Sequence, residues 1–368
     1  MGENTHTIPK LMRETFDNFS PEELQKRPLV IGFSGGPDST ALAHAVITSA
    51  RTHNLPPPVL AHLNHQWRPE ADHDAQWCAQ FAAQYQCVFI THTAEEYTQC
   101  AAQGNSREES GRLMRRAFLH TIAEAYNSPA IMVAHHANDQ IETLLMRLIR
   151  GTSLTGLTGI KKISYVRNRI IVRPFLDIFK QDIFEYLQTH GITYLTDSSN
   201  NSADFLRNRI RHELVPALIK TDSRAEINIL RSIGHICTTE EFVAQQAQEH
   251  YTHAVDYGTN VLDCKKLKTF PREIQRRVLI LWLTHAQIPV TYSSGILDEL
   301  IRFLISPRGG THIVSPTCAL RKSKNRATLS RDGQPSLHSV SPHKHSSFNS
   351  TTPVIIDRAR ITDPHNVP

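Results

Sequence analysis

A short glycine-containing motif, Ser34-Gly35-Gly36-Pro37-Asp38-Ser39, lies between an apolar run at 29–33 and a helical pattern. Glycines let the backbone turn sharply and approach an anion closely, because they carry no Cβ. Free amides at the helix N-terminus then point at that anion. The hydroxyls of Ser34 and Ser39 can add further donors. The chemistry expected from this loop is the binding of a phosphate group.

Asp38 gives the loop a second property. No G-K-[ST] follows the glycines, so the loop is not a Walker A loop and lacks its lysine. The Asp38 carboxylate would repel a phosphate unless a cation lay between them, which favours Mg²⁺ held by carboxylate and phosphate oxygens together. A purely structural alternative is a tight strand-to-helix turn in which Asp38 acts only as a helix cap.

A second group of reactive side chains occurs at 135–143, His-His-Ala-Asn-Asp-Gln-Ile-Glu-Thr. Asp139 and Glu142 are three residues apart, so both fall on one face near the start of a predicted helix, and His135 precedes it. Paired carboxylates suit an ammonium group or a divalent metal. Zinc is disfavoured, because no H-E-x-x-H motif or neighbouring cysteine is present. In the structural alternative, Asp139 caps the helix and Glu142 pairs with Arg147.

Alternating strand and helix patterns position both motifs. The predicted strands are 29–33, 59–63, 87–91, 130–134 and 170–172, and the predicted helices are 40–50, 71–85, 106–126, 138–149, 178–190 and 204–218. This alternation predicts an α/β fold with a doubly wound, mostly parallel sheet, whose ligands bind at the carboxyl ends of the strands. Both motifs follow a predicted strand, so they should share that edge.

The pattern changes after about residue 221. Helices are predicted at 221–254, 271–285 and 293–304, and a β-hairpin is predicted at 311–329. We expect an N-terminal segment (1–28), a nucleotide domain (29–217), a helical domain ending in the hairpin (218–331) and a tail (332–368). The tail contains a Ser/His/Pro-rich stretch at 333–350 that is typical of a linker. A glycine- and threonine-rich loop at 151–162 is expected to be mobile or ligand-facing.

Composition narrows the functional classes. No apolar run reaches the length of a membrane span, and the N-terminus lacks a secretory signal. Six cysteines without a C-x-x-C pair predict a reducing cytoplasm and no disulfide partner. The net charge is +5, with basic residues clustered along the chain. One such cluster could be a solvated surface, but several around a nucleotide loop favour a polyanionic partner. The oligomeric state stays open, a homodimer included.

Several motifs resemble one known family. The loop at 34–39 resembles the PP-loop of the N-type ATP pyrophosphatases, which cleave ATP between the α and β phosphates. Within that superfamily, residues 29–216 are similar to the tRNA(Ile)-lysidine synthetases. The matching motifs are His62-Leu63-Asn64-His65 with Arg68, Ser106-x-Glu108 with Arg112 and Arg115, the block at 135–143, Asp197-Ser198-Ser199-Asn200, and Arg207-Asn208-Arg209-Ile210-Arg211. The chain departs at Gly111, usually alanine, at Arg116, usually tyrosine, and at Gln66-Trp67, usually Gly-Leu.

The resemblance implies an adenine nucleotide alpha hydrolase-like fold and a role for each matching residue. ATP would be bound by residues 34–39 with His62 and Asn64, and Asp38 would hold Mg²⁺. Substrate lysine would be bound by Asp139 and Glu142. The implied catalytic residues are Asp38, Arg115, His135 and Arg207, and the implied tRNA contacts are Arg112, Arg209 and Arg211.

The implied reaction has two steps. ATP adenylates the C2 oxygen of the wobble cytidine in tRNA(Ile) with a CAU anticodon, and pyrophosphate leaves. The lysine ε-amine then attacks C2 and displaces AMP, after a carboxylate or His135 has taken its proton. One rival is another PP-loop enzyme, either a tRNA thiolase, although no C-x-x-C is present, or an amide-forming NAD or GMP synthetase. The other rival is a nucleotide-binding module without turnover. The joint presence of four polar residues argues against it: Asp38, His135, Asp139 and Glu142.

Overall fold

The computed structural model describes residues 7–67, 69–101, 106–166, 169–196, 206–288, 293–315 and 318–331. Contacts divide the chain into two compact units, Met1–Ala244 and Gln245–Pro368. The predicted domain boundary at 217/218 stays a prediction. Arg68, the Asp197-Ser198-Ser199-Asn200 motif and the tail at 332–368 lie outside the described residues, as does the side chain of Glu108.

The first unit is built on a six-stranded sheet. Its strands are β1 (Val30–Gly32), β2 (Val59–Asn64), β3 (Val88–Thr93), β4 (Ala130–Met132), β5 (Ile163–Val166) and β6 (Arg169–Val172). Their order is β3-β2-β1-β4-β6-β5, and every neighbouring pair is parallel except β5 with β6. The predicted doubly wound sheet is confirmed. Because β1 lies between β2 and β4, connections leave it in opposite directions, and the ligand crevice is expected there.

Helices cover both faces of this sheet. They are α1 (Thr7–Phe16), α2 (Pro21–Lys26), α3 (Pro37–Thr52), α4 (Ala71–Gln84), α5 (Thr98–Ala101), α6 (Arg107–Ala125), α7 (Ala137–Arg150), α8 (Leu154–Leu157) and α9 (Lys180–Thr189). Ile31 belongs to one apolar core with α3 and α9, and Val30 belongs to a second with α6. Successive strand residues face opposite sides, so a strand covered on both sides is apolar throughout.

The N-terminal segment joins the first of these cores. Ile8 and Met12 of α1 are buried in it, and Phe16 ends the same helix within the core. The sequence pattern indicated no structure here, although the apolar residues of α1 lie on one helical face. Helix α1 therefore packs as part of the first unit.

A helical run at Leu206–Thr221 closes the nucleotide part of the first unit. It consists of α10 (Leu206–Arg209), a π-helical turn (Ile210–Leu214) and α11 (Val215–Thr221). Pro216 has no N–H to donate to the preceding turn. The Val215 N–H donates to the Ile210 carbonyl, five residues back, and so forms the wide turn.

The loop at 151–162 contains the short helix α8 and is attached to α7. Arg147 donates from Nη1 to the carbonyls of Gly156, at 2.5 Å, and Gly159, at 2.8 Å. The Gln140 side chain exchanges two hydrogen bonds with the Ile160 backbone. Arg147 therefore hydrogen-bonds the backbone of this loop and does not pair with Glu142. A ligand-facing role for this loop stays a prediction.

The second unit contains helices and one antiparallel sheet. Helix α12 (Ala225–Ala254) crosses the division between the units, and the elements after it are β7 (Val255–Asp256), β8 (Val261–Asp263), α13 (Cys264–Thr269), α14 (Arg272–His285), α15 (Ser294–Ile305), β9 (Gly310–Ser315), β10 (Cys318–Ser323) and β11 (Arg326–Arg331). The sheet order is β7-β8-β11-β10-β9. The predicted hairpin is thus part of a five-stranded sheet, since β8 pairs with β11. Within the described ranges, every helix is too short or too polar to span a lipid bilayer.

Acid should destabilise the packing of α3 on α9. His44 of α3 hydrogen-bonds the Tyr186 hydroxyl of α9 at 2.8 Å, and burial lowers the pKa of His44 to about 4. The unfolded value is about 6.5, so between these values the unfolded chain binds the proton more tightly, and stability falls as pH falls.

We expect His44→Gln to reduce the loss of unfolding free energy between about pH 7 and about pH 5 by about 1 kcal/mol. Urea titrations at the two pH values measure that loss. The matched control is His53→Gln, at an exposed position of the turn that follows α3. An equal pH dependence in wild type and His44→Gln would contradict this account.

Candidate functional site

The loop after β1 requires glycine at Gly35. Its φ is +78°, in the left-handed region that favours glycine, and a Cβ there would lie 2.6 Å from Cδ1 of Leu195. The Leu195 N–H donates to the Gly35 carbonyl at 2.8 Å, which holds the two segments together. The loop is therefore sharply turned at Gly35 and closely packed against Leu195.

The helix after this loop begins without a side-chain cap. Gly36 is the N-cap of α3 and Pro37 is its first residue, so Asp38 stands one position further in and does not cap the helix. The first turn of a helix leaves amide groups without intrahelical acceptors. Ser39 Oγ accepts from the Ser34 N–H at 3.1 Å and lies 3.2 Å from the Gly36 carbonyl. These hydrogen bonds fix the loop in the shape of an anion site.

Asp38 is positioned to take a cation. Its Oδ1 is buried and has no hydrogen-bond partner among the described residues. Burial raises the pKa of Asp38, and the nearby charges of His136 and Lys180 only partly offset that effect. A carboxylate oxygen left without a donor beside an anion-binding loop fits one ligand position of Mg²⁺.

The Asp139 and Glu142 pair is buried and fully hydrogen-bonded. Arg207 donates to Asp139 Oδ1 at 2.6 Å and to Glu142 Oε2 at 2.7 Å. Arg211 donates to Glu142 Oε1 at 2.6 Å and to Oε2 at 3.0 Å. The backbone N–H of His136 donates to Asp139 Oδ2 at 2.9 Å. The carboxylates predicted from helix spacing thus share a cation site, which two guanidinium groups fill in this conformation.

The neighbouring cations decide the charge of Asp139. Burial alone would raise the pKa of Asp139, but His136 and Arg207 together lower it, so the carboxylate stays ionised. Separating a buried charge from its partner is costly. Arg207, predicted to be catalytic, and Arg211, predicted to contact tRNA, therefore both lie against α7 here, whereas Arg209 is exposed.

Two adjacent histidines precede α7, and one of them, His136, lies between the loop and the carboxylate pair. Nε2 of buried His136 is 3.8 Å from Asp38 Oδ2 and 3.7 Å from Asp139 Oδ2. His135 has a buried Nδ1 without a partner within the part of the chain that the structure describes. Burial lowers the pKa of His135 to about 4, so the ring is neutral near pH 7. The sequence indicated His135 but not the bridging position of His136.

The end of β2 supplies the third side of the crevice. His62 is buried with Nδ1 3.0 Å from the Phe33 carbonyl, and burial lowers its pKa. Asn64 donates to Asp72 at 2.7 Å and accepts from the Gln66 N–H at 3.0 Å. Both residues, predicted to bind ATP, thus use polar atoms to shape the loops around the site.

The predicted basic residues of α6 lie at the surface. Arg112 and Arg115 are exposed, and Arg115 Nη2 is 3.4 Å from His65 Nε2.

In the second unit, Arg276 pairs with Asp298 at 2.8 Å and Arg277 with Glu273 at 2.9 Å. The exposed cations of α13 are Lys265, Lys266 and Lys268.

Comparison with known proteins agrees with this geometry. A family model described as a PP-loop domain matches residues 6–218, and one described as a TilS substrate binding domain matches residues 262–328. The U34-tRNA thiolase NcsA from Methanococcus maripaludis, solved with its [4Fe-4S] cluster, is 16% identical with a TM-score of 0.50. That match covers 62% of this chain and 78% of the thiolase, and it concerns the fold alone.

Two relatives share more of the sequence. The tRNA(Ile)-lysidine synthase of Geobacter sulfurreducens is 33% identical over 323 residues, which cover 85% of this chain and 68% of that protein. The tRNA(Ile)-lysidine synthase of Bacillus subtilis is 28% identical over 285 residues, which cover 76% of this chain and 60% of that protein. The chain thus spans roughly two thirds of the length of these relatives. It belongs to the tRNA(Ile)-lysidine synthase family.

Proposed function

We propose that this chain ligates lysine to C2 of the wobble cytidine of tRNA(Ile) with a CAU anticodon, consuming ATP and releasing AMP and pyrophosphate. One observation carries the proposal. The anion loop with Asp38 and the carboxylate pair of α7 meet at the ends of neighbouring strands, with His136 less than 4 Å from a carboxylate on each side. This arrangement supports the proposal, because the proposed phosphate site and the proposed ammonium site would be adjacent.

The first step moves the adenylyl group of ATP to the cytidine C2 oxygen. A bond forms between that oxygen and the α phosphorus, and the bond to the β phosphate oxygen breaks. The amides at the start of α3, with Arg207, would stabilise charge on the phosphates of ATP. Transfer is useful because C2 oxygen alone is a poor leaving group, whereas AMP is a good one.

Mg²⁺ fits this site through Oδ1 of Asp38, which accepts no hydrogen bond from the residues that the structure describes. Bound there, it would neutralise phosphate charge and orient the pyrophosphate leaving group. Asp38 would hold it jointly with phosphate oxygens, and the nearby His136 would keep the carboxylate facing the loop.

The second step brings the lysine ammonium to Asp139 and Glu142. All four of their oxygens already accept hydrogen bonds, from Arg207, Arg211 and the His136 backbone. A third cation beside two carboxylates is unfavourable, so lysine exchanges with a guanidinium group. Arg211 is the candidate, because both of its hydrogen bonds to the pair go to Glu142, whereas Arg207 donates to both carboxylates. A carboxylate or neutral His135 would then take the proton of the ammonium.

The second unit would position the tRNA by phosphate contacts, which orient without specifying sequence. Exposed Lys265 and Lys268 of α13 are the candidates, since Arg276 and Arg277 have acidic partners. A cytoplasmic location follows from a tRNA substrate and fits the six free cysteines. A thiolase activity, the alternative, is less supported, because the sequence has no C-x-x-C pair.

The proposed ligase activity can be tested by the transfer of labelled lysine to RNA. Protein incubated with ATP, Mg²⁺, labelled lysine and a tRNA(Ile) transcript with a CAU anticodon should put label into the RNA. A matched transcript with uridine at the wobble position should take none. Label in that control, or none with cytidine, would overturn the proposed function.

Glu142→Gln should weaken lysine binding specifically. The substitution keeps the side-chain shape and removes one negative charge from the ammonium site. Losing a charge-assisted hydrogen bond should raise the KM for lysine about 10- to 100-fold. Pyrophosphate release measured without lysine should change far less. The matched control is Glu124→Gln, an exposed position of α6. Equal losses in both measurements would argue against a lysine site here.

Added salt should weaken tRNA binding much more than ATP binding. Raising salt from about 50 to about 200 mM should weaken tRNA binding by about tenfold or more if three phosphates are contacted, and leave ATP binding nearly unchanged. Lys265→Gln combined with Lys268→Gln should make the tRNA dependence on salt shallower. Filter binding and calorimetry measure the two affinities. The same salt dependence for both ligands would contradict this arrangement.

A further inference from the structure

The loop after β2 exposes a large aromatic side chain. Trp67 is 43% exposed, whereas Trp282 is fully buried and Trp77 stacks on Phe81 with ring centroids 5.6 Å apart. Exposing an indole forgoes the free energy that its burial would supply. Aromatic side chains in such positions are typical of contact surfaces, where the flat ring meets a ligand.

The local backbone holds this ring in place. Asn64 accepts a hydrogen bond from the N–H of Gln66, whose φ of +52° turns the chain sharply before Trp67. Asn64 also donates to Asp72 of α4 at 2.7 Å. The two hydrogen bonds of the Asn64 side chain therefore hold the backbone turn that carries Trp67.

Two rings and two cations form one cluster, consisting of His65, Trp67, Arg107 and Arg115. The rings of His65 and Trp67 are 4.5 Å apart with an interplanar angle of 31°. Cζ of Arg107 lies 4.6 Å from the indole centroid, and Arg115 Nη2 lies 3.4 Å from His65 Nε2. Arg107 and Arg115 are eight residues apart on α6, so they share one helical face on either side of Gly111.

Gly111 makes room for this cluster. A Cβ at that position would lie 2.6 Å from Cη2 of Trp67, closer than such atoms approach. Glycine within a helix costs about 1 kcal/mol relative to alanine. Since the helix φ does not require glycine here, its evident role is to leave space for the indole.

We propose that His65 and Trp67 form a stacking platform for an unpaired nucleobase of the tRNA substrate, with Arg107 and Arg115 contacting the flanking phosphates. This inference rests on the proposed function for the identity of the RNA. Aromatic rings beside arginines are the combination that binds single-stranded nucleic acid. An anticodon loop offers unstacked bases of this kind.

The charges of the cluster fit this role. Burial and the adjacent Arg115 lower the pKa of His65 to about 4, so its ring is neutral near pH 7 and does not repel the arginines. Arg107 is exposed, so an arriving base can stack on its guanidinium group or take its place over the indole. Two arginines spaced along a helix suit successive phosphates of a strand. These arginines are not needed for the triphosphate of ATP, because the proposed site for it is the loop after β1.

Trp67→Ala should therefore weaken binding of the CAU-anticodon transcript by about 5- to 150-fold. Trp67→Phe should recover most of the affinity, because a smaller ring still stacks. Calorimetry should show the ATP affinity unchanged in both variants. The matched control is Tyr165→Ala, which removes a more exposed aromatic ring of β5 in the same unit.

Gly111→Ala tests the platform without removing it. The added Cβ must displace the indole, so tRNA affinity should fall, while the helix becomes no less stable. This variant keeps the proposal testable if Trp67→Ala does not fold. In the wild type, tRNA should also quench indole fluorescence, and Trp67→Phe should lose most of that quenching.

Three outcomes would overturn the platform: tRNA affinity unchanged in Trp67→Ala and Gly111→Ala, weaker ATP binding in place of weaker tRNA binding, or an equal loss in Tyr165→Ala. A failure of the proposed function looks different. It would appear as wild type that binds the transcript through Trp67 yet transfers no lysine, because the binding measurement requires no turnover.

Discussion

Two carboxylates on α7 and two guanidinium groups on the run at Leu206–Thr221 neutralise one another at the edge of the sheet. Charges taken out of water are tolerated only when each has a partner, so this group constrains its surroundings. Helix α7 must start directly after β4, and Arg207 and Arg211 must share a helical face. The run is thereby fastened beside the nucleotide loop by ionic contacts. Ionic partners can be exchanged for another cation, whereas a packed apolar contact would have to be opened.

Local chemistry explains what the sequence could predict. The turn at Gly35 and the common face of Asp139 and Glu142 depend on a few neighbouring residues, so the sequence could predict both. The parallel strands were predictable because burial on both faces makes them continuously apolar. Strands β7 and β8 are too short to show a period. The pairing of β8 with β11, and of β7 with β8, supplies the stability that their own sequences lack.

Long-range partners were not predictable. Arg207 and Glu142 are 65 residues apart, and nothing in either segment indicates that the guanidinium group turns inward. Adjacent His135 and His136 are equivalent in sequence, yet only the ring of His136 lies close to both Asp38 and Asp139. The hydrogen bonds of His62 to Phe33 and of Asn64 to Asp72 and Gln66 were not predictable either, and ATP binding by His62 and Asn64 stays a prediction.

The contact between Gly111 and Trp67 also constrains how this sequence could have arisen. A Cβ at 111 would overlap the indole at 67, so the indole can keep its place against α6 only where position 111 is glycine. A lineage that began with alanine at 111 and leucine at 67 would have to lose the alanine methyl before a tryptophan at 67 could pack in this position. The two positions are therefore epistatic. Among relatives, tryptophan at the first position should accompany glycine at the second, a covariation set by steric exclusion.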